Sequence, residues 1–326
     1  MPSFAVLGAT SWGFTLASLL TKNGHDVTVL VRSKPEAEQL AAARGVPRLP
    51  ELRLPDAIDI RPASDPPSAD GLVVAAPAQA VAASAAGLPA LRDVPVLSAA
   101  KGIEHGTLRR MSEVLAAAGW PEQHIAVLSG PNLAHEIVRG LPAAAVVASR
   151  ESAVATAWQN ALSSPVFRVY RSDDVIGTEL GGALKNIIAI AAGAAAGLGL
   201  GANAISALMT RGLAEMTRLG AALGARPLTF QGLAGVGDLA VTCYSPLSRN
   251  RRFGELLAGR ATPAAAAAAI GETVEGAATA PVALELARRA GVDMPITEQV
   301  VAVLSEKLSV ADAMAALLQR APTSEH

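Results

Sequence analysis

In the first half of this 326-residue chain, short apolar β-type runs alternate with helical stretches, and the alternation stops after Asp174. The runs are Phe4 to Leu7, Val27 to Val31, Leu72 to Ala75, Val94 to Leu97, Ile125 to Leu128, Ala144 to Val147 and Val166 to Tyr170. Helical patterns fit between them near Phe14 to Lys22, Glu36 to Arg44, Thr107 to Ala117 and Ser152 to Ala161. Strands that alternate with helices predict an α/β fold, a Rossmann-like, doubly wound and mostly parallel sheet, over residues 1–180. Beyond Asp174 the chain is rich in Ala, Leu and Gly at helical spacing, as in Gly212 to Leu223, Phe253 to Leu257, Ala278 to Ala290 and Thr297 to Leu304. That pattern predicts an all-α domain over residues 181–326. Thr262-Pro263 before the alanine run Ala264 to Ala269 reads as a capped helix start. No internal repeat is present.

Composition narrows the possible functions. With 51% hydrophobic residues the chain can bury a large core. A formal net charge of -1, with acids and bases interspersed, argues against a nucleic-acid surface or a polybasic anchor, so any anionic ligand must be bound locally. Cys243 is the only cysteine, which excludes an intramolecular disulfide and fits a reducing cytosol. His25, His105, His124, His135 and His326 show no ligand spacing, and no metal site is expected. Met1-Pro2-Ser3 leads directly into an apolar run without a secretion-like basic region. The span Asn186 to Thr210 carries no charge and is of membrane length, and Gly193 and Gly197 make a small-xxx-small pair. Its Ala and Gly content, the interruptions at Gly199, Gly201 and Asn203, and the lack of aromatic ends favour a helix buried inside a helical domain.

Four sequence segments carry chemistry. Gly8-Ala9-Thr10-Ser11-Trp12-Gly13 follows the opening strand with the spacing of the dinucleotide fingerprint, but Thr10 replaces the second glycine. The substitution suggests a displaced phosphate with hydroxyl contacts from Thr10 or Ser11. The second strand ends in Val31-Arg32-Ser33-Lys34, with no acid to accept a ribose 2'-hydroxyl; Arg32 instead suits a 2'-phosphate. In Leu180-Gly181-Gly182-Ala183-Leu184-Lys185-Asn186 an ammonium group stands at the edge of the uncharged span. Burial there would lower the pKa of Lys185 and suit it to proton transfer, or the lysine could simply snorkel beside a buried helix. The two glycines would let a backbone or a ligand come close. Gly235 to Arg252 concentrates polar groups in an otherwise apolar half. If that segment is helical, Asp238 and Thr242 share a face, and Ser248, Arg249 and Asn250 offer donors to a phosphate.

These motifs, together with Ala100-Lys101-Gly102-Ile103-Glu104, Ser129-Gly130-Pro131, Thr210-Arg211-Gly212 and Val274-Glu275-Gly276, resemble in order and spacing those of the bacterial NAD(P)-dependent glycerol-3-phosphate dehydrogenases across nearly the whole chain. The resemblance implies reversible hydride transfer between a nicotinamide and C2 of sn-glycerol 3-phosphate, with dihydroxyacetone phosphate as the keto partner and glycerophospholipid synthesis as the destination. It implies Lys185 as proton donor and acceptor, Lys101 as a second active-site lysine, and Asp238 and Thr242 as groups that orient substrate and lysine. Gly130, Asn132, Ser248, Arg249 and Asn250 would join Lys101, Lys185 and Asp238 at the substrate. Gly8, Thr10, Ser11, Trp12, Gly13, Arg32, Lys101, Ala134, Arg249, Thr273 and Glu275 would contact the cofactor, NADP(H) with NAD(H) as a second. A cytoplasmic homodimer without metal, nucleic acid or membrane span is the implied form. Asn132 and Leu133 depart from the family, which has serine or threonine and then an aromatic there. A two-domain hydroxy-acid reductase and a non-catalytic NADP-binding sensor are the competing readings.

Overall fold

The computed structural model describes residues 1–321, so His326 lies outside the described residues. The chain divides into two compact units, Met1–Glu179 and Leu180–His326.

The first unit runs β1 (Ser3–Leu7), α1 (Ser11–Lys22), β2 (Asp26–Val31), α2 (Lys34–Ala43), β3 (Ile58–Pro62), β4 (Gly71–Val74), α3 (Val81–Ala86), β5 (Val96–Ser98), α4 (Met111–Ala117), β6 (Ile125–Ser129), α5 (Ala134–Val138), β7 (Ala143–Ser149), α6 (Ser152–Leu162) and β8 (Phe167–Ser172). Its eight strands form one sheet in the order β3-β2-β1-β4-β5-β6-β7-β8. Every neighbouring pair is parallel except β6 with β7. The strand period of two sends alternate residues to opposite faces. Phe4 and Val6 join the core beneath α1, α2 and α6 through Leu16, Leu20, Ala37 and Trp158. Ala5 and Leu7 join the other core with Val81 and Ala85 of α3 and Met111, Val114 and Leu115 of α4. Both faces are covered, which is why the central strands read as continuous apolar runs.

The edge strand β3 was not among the apolar runs. Asp59 and Arg61 pair across its exposed face at 2.6 Å, while Ile58 and Ile60 alone face the core. Its closing proline is tolerated because an edge strand has no neighbour on one side.

The second unit is helical. The helix α7 (Val175–Gly197) crosses the unit boundary and is followed by α8 (Gly201–Ala222), α9 (Pro227–Phe230), α10 (Asp238–Tyr244), α11 (Arg249–Ala258), α12 (Pro263–Ile270), α13 (Glu275–Ala290), α14 (Pro295–Leu304) and α15 (Val310–Leu318). A π-turn over Leu233–Gly237 precedes α10. By length and composition α7 could cross a membrane, but 89% of its most apolar window is buried inside the fold. The small residues explain how it is buried. A Cβ at Gly193 would fall 1.9 Å from the Arg251 carbonyl oxygen, and one at Gly254 would fall 2.1 Å from that of Ile190. Backbones of α7 and α11 therefore touch, and the Gly193/Gly197 stripe is consumed within the chain. Gly199 and Gly201 serve differently, as left-handed residues: Gly199 at φ +72° lies in the turn before α8, and Gly201 at φ +77° opens that helix. Thr262 caps α12 by accepting the Ala265 N–H at 3.2 Å, with Pro263 next to it.

One buried acid closes a helix end. Glu215 of α8 is 1% exposed and accepts the Ile296 N–H at 2.6 Å, the Thr297 N–H at 3.2 Å and the Thr297 hydroxyl at 3.2 Å. These amides open α14 and have no acceptor within their own helix. Burial pushes the Glu215 carboxyl up to about 7, against the pull of the donors.

Two predictions follow from this packing. Alanine in a helix normally gains about 1 kcal/mol over glycine, but Gly193→Ala should destabilise by about 2 kcal/mol or more in urea denaturation, since a backbone has to shift; a neutral or stabilised variant would refute the close approach. Glu215 holds a proton in the native state between its ordinary value of 4.5 and about 7, where the unfolded chain has released it. Its contribution thus declines as pH rises through that window, by roughly 3 kcal/mol. The stability of wild type relative to Glu215→Gln should fall between pH 4.5 and 7, and a constant difference would show that the carboxyl is not shifted.

Candidate active site

The first unit gathers its candidates at the carboxyl ends of its parallel strands. Gly8 follows β1, Arg32 follows β2, Lys101 lies just beyond β5 and Gly130 follows β6. Strand order reverses between β1 and β4, the switch point outside which open α/β sheets bind ligands. Gly8 adopts φ +119°, and a Cβ there would lie 2.9 Å from the Ala75 carbonyl. A Cβ at Gly13 would lie 2.2 Å from the Gly8 oxygen, so both glycines are required for α1 to start this close to β1.

Thr10 does not act as expected. Its hydroxyl donates to the Ala75 carbonyl at 2.9 Å and accepts the Gly13 N–H at 3.0 Å, making it the N-cap of α1. The proton expected for a phosphate is spent on the protein, so what this turn offers an anion is backbone N–H and the dipole of a twelve-residue helix. Ser11 Oγ points toward the Arg48 carbonyl at 3.4 Å, a long contact. Trp12 Nε1 is buried with no acceptor among the described residues. The glycine turn, the capped helix end and this unpartnered donor fit a dinucleotide. Ala134 begins α5 and packs against the core under α1.

Lys101 and Gly130 come together, the Lys101 ammonium donating to the Gly130 carbonyl at 3.0 Å. Asn132 Nδ2 donates to the Ala144 carbonyl at 3.0 Å, which anchors the side chain and leaves the buried Oδ1 without a donor among the described residues.

In the helical unit the other candidates converge. Lys185 is 7% exposed on α7, and its Nζ lies 2.5 Å from Asp238 Oδ1 and 2.7 Å from Thr242 Oγ1. Asp238 and Thr242 share a face of α10. The Thr242 hydroxyl gives its proton to the Asp238 carbonyl at 2.6 Å and so presents a lone pair to the lysine. Gly181 permits this meeting of α7 with the turn before α10, because a Cβ there would fall 2.3 Å from the Ala234 oxygen. Cys243, next to Thr242, is buried and its thiol is pushed up to about 12 by desolvation, which makes it inert.

The second cluster surrounds the start of α11. Ser248 is its N-cap and accepts the Arg251 N–H at 3.3 Å. Arg249, partly exposed, pairs with Glu272 at 3.2 Å. Asn250 is buried, donates to Asn186 Oδ1 at 2.9 Å and accepts the Gly276 N–H at 2.9 Å. These contacts bring the segment bearing Thr273 and Glu275 alongside the Ser248-Arg249-Asn250 triplet, and tie both to the residue that follows Lys185. Asn186 had no role in the sequence reading; only its place beside the lysine marked it. Among the described residues no group of three or more His, Cys, Asp or Glu side chains is set to hold a metal.

Comparison with known proteins agrees with this geometry. The family models described as NAD-dependent glycerol-3-phosphate dehydrogenase N-terminus and C-terminus match residues 3–155 and 174–315. A Nocardia farcinica protein named glycerol-3-phosphate dehydrogenase [NAD(P)+] is 48% identical, with 98% of each chain covered. A Bradyrhizobium diazoefficiens protein of the same name is 45% identical, over 98% of this chain and 97% of its own. The crystal structure of glycerol-3-phosphate dehydrogenase from Coxiella burnetii superposes with a TM-score of 0.92 at 36% identity, covering 98% and 99% of the two chains. With its parallel sheet, its lysine–aspartate pair and full-length identity to these relatives, the chain belongs to the NAD(P)-dependent glycerol-3-phosphate dehydrogenase family.

Proposed function

We propose that this protein reduces dihydroxyacetone phosphate to sn-glycerol 3-phosphate with NAD(P)H, reversibly, and so supplies glycerophospholipid synthesis. The observation that carries the chemistry is the buried Lys185 ammonium, held 2.5 Å from Asp238. A bound nicotinamide supplies the hydride. Everything else is asked of the side chains.

Reduction of a ketone needs a proton at the carbonyl oxygen as hydride reaches the carbon. Lys185 provides it, and in the reverse direction takes it from the C2 hydroxyl. Asp238 places a carboxylate 2.5 Å from the buried ammonium, and Thr242, at 2.7 Å, fixes its direction. Lys101 contributes a second positive charge toward substrate and cofactor from its place beside Gly130, where Asn132 adds a polar contact. Ser248, Arg249 and Asn250 bind the substrate phosphate, whose distance from the reacting carbon lets it supply binding energy for positioning. The half-exposed guanidinium of Arg249 is the strongest phosphate ligand of the three, able to leave Glu272 for a dianion. Asn250 helps by holding α11, α13 and Asn186 in register.

The family resemblance assigns to the cofactor Gly8, Thr10, Ser11, Trp12, Gly13, Arg32, Lys101 and Ala134 of the first unit and Arg249, Thr273 and Glu275 of the second. Thr10 serves through its cap and its backbone. The competing readings are weaker: relatives at this identity are named for glycerol 3-phosphate, and a sensor has no use for a buried lysine–aspartate pair. A cytoplasmic homodimer is proposed on the family resemblance, and sedimentation equilibrium at the mass of a single chain would refute the dimer.

Mixing purified protein with NADPH and dihydroxyacetone phosphate should consume NADPH, while a hydroxy-keto acid should not; reaction with the acid alone would overturn the substrate assignment. Arg249→Ala should raise the KM for dihydroxyacetone phosphate about 10- to 100-fold, as expected for loss of a charge-assisted phosphate contact. Unchanged kinetics in that variant would make Arg249 an ordinary solvated cation.

A further inference from the structure

The end of β2 carries a cation in sequence and no acid, yet the fold returns an acid to that point. Glu36 stands in the first turn of α2, whose N-cap is Ser33. Its carboxylate folds back to accept the Arg32 backbone N–H at 3.1 Å and pairs with Arg32 Nε at 3.4 Å. In an ordinary capping box this glutamate would accept from the N-cap residue itself. Here the acceptor is aimed one residue earlier, at the first position past the strand. The Arg32 side chain is 92% exposed and the Glu36 side chain 25%, so the carboxylate is the better fixed of the two. Ser33 Oγ accepts the Glu36 N–H at 3.4 Å, which leaves the serine proton able to turn outward.

This position is the one where a dinucleotide-binding sheet meets the adenosine ribose. An acid there takes a hydrogen bond from a 2'-hydroxyl, and a guanidinium there pairs with a 2'-phosphate. The chain has both groups bonded to each other at the same point.

We propose that Glu36 is a specificity-determining residue for the cofactor, accepting the 2'-hydroxyl of NAD(H) and opposing the 2'-phosphate of NADP(H). The proposal rests on the dinucleotide reading of the first unit. With the unphosphorylated cofactor, Glu36 keeps Arg32 neutralised and receives the ribose hydroxyl. With the phosphorylated one, Arg32 swings from Glu36 to the phosphate, and the carboxylate remains as a like charge nearby. An ion pair this exposed contributes little, so the swing costs little. The consequence is a chain that accepts both cofactors, with a preference for the phosphorylated one below what Arg32 alone would set. Glu36 and Arg32 thus act as one two-position switch.

The test is direct binding. Dissociation constants for NADPH and NADH would be measured by nucleotide fluorescence titration on wild type, Glu36→Gln and Arg32→Ala at one ionic strength. Glu36→Gln should tighten NADPH by about three- to tenfold and weaken NADH by a similar factor, so the ratio of the two constants moves about tenfold or more. Arg32→Ala should weaken NADPH and leave NADH nearly unchanged. A Glu36→Gln protein that binds both cofactors with the wild-type ratio overturns the proposal and reduces Glu36 to a helix cap. Partial unfolding of the variant cannot imitate the effect, because it scales both constants alike. Wild type that binds neither cofactor refutes the dinucleotide reading, and the proposal with it.

Discussion

An ammonium group can stay inside a helical core only when an opposite charge is fixed against it. The pairing of Lys185 with Asp238 meets that condition, and much of the second unit is arranged to make it possible. Removing either partner of such a pair leaves an uncompensated buried charge, at a cost of about 3–5 kcal/mol. Replacing both by apolar residues of similar volume would often be neutral. The pair is therefore poor evidence for stability and good evidence for chemistry. Glycines make the approach possible: Gly181 admits the turn before α10, and Gly193 and Gly254 let α7 and α11 touch through their backbones. The helix α7, which carries Lys185 and has 89% of its most apolar window buried, is a rigid mount, and the proposed proton transfer requires such a fixed distance.

The first unit reaches the same end by a different route. Its candidates come from separate strands and loops, and they line one edge of the sheet because parallel strands bring their carboxyl ends there. The opening turn departs from the usual glycine pattern at Thr10, whose hydroxyl caps α1 and braces Ala75. A side chain there is compatible with a phosphate-binding turn so long as its polar atoms are satisfied internally.

Much of this was legible in sequence, for identifiable reasons. Central strands such as β1 and β4 are buried on both faces and read as uninterrupted apolar runs, and the capped start of α12 is written in Thr262-Pro263. Lys185 stood out because it adjoins a long uncharged span. The edge strand β3 was hidden because two of its five residues, Asp59 and Arg61, carry charge on its outer face, so it looks like a loop. The cap formed by Thr10 was hidden for another reason: its acceptor, Ala75, is sixty-five residues away. Glu36 was read as part of a helix pattern, since nothing local says that its carboxylate turns back to the strand. In each case the missing information was a contact distant in sequence or a direction of a side chain, and neither leaves a periodic trace.

The most direct measurement compares wild type with Lys185→Ala, recording NADPH binding by fluorescence and turnover of dihydroxyacetone phosphate on the same preparations. If the buried lysine delivers the proton, turnover falls by about 100-fold to 10,000-fold, the range for loss of a positioned acid–base group, while NADPH still binds. Turnover within a few-fold of wild type would contradict the account, and Lys185 would then be a structural partner of Asp238 alone.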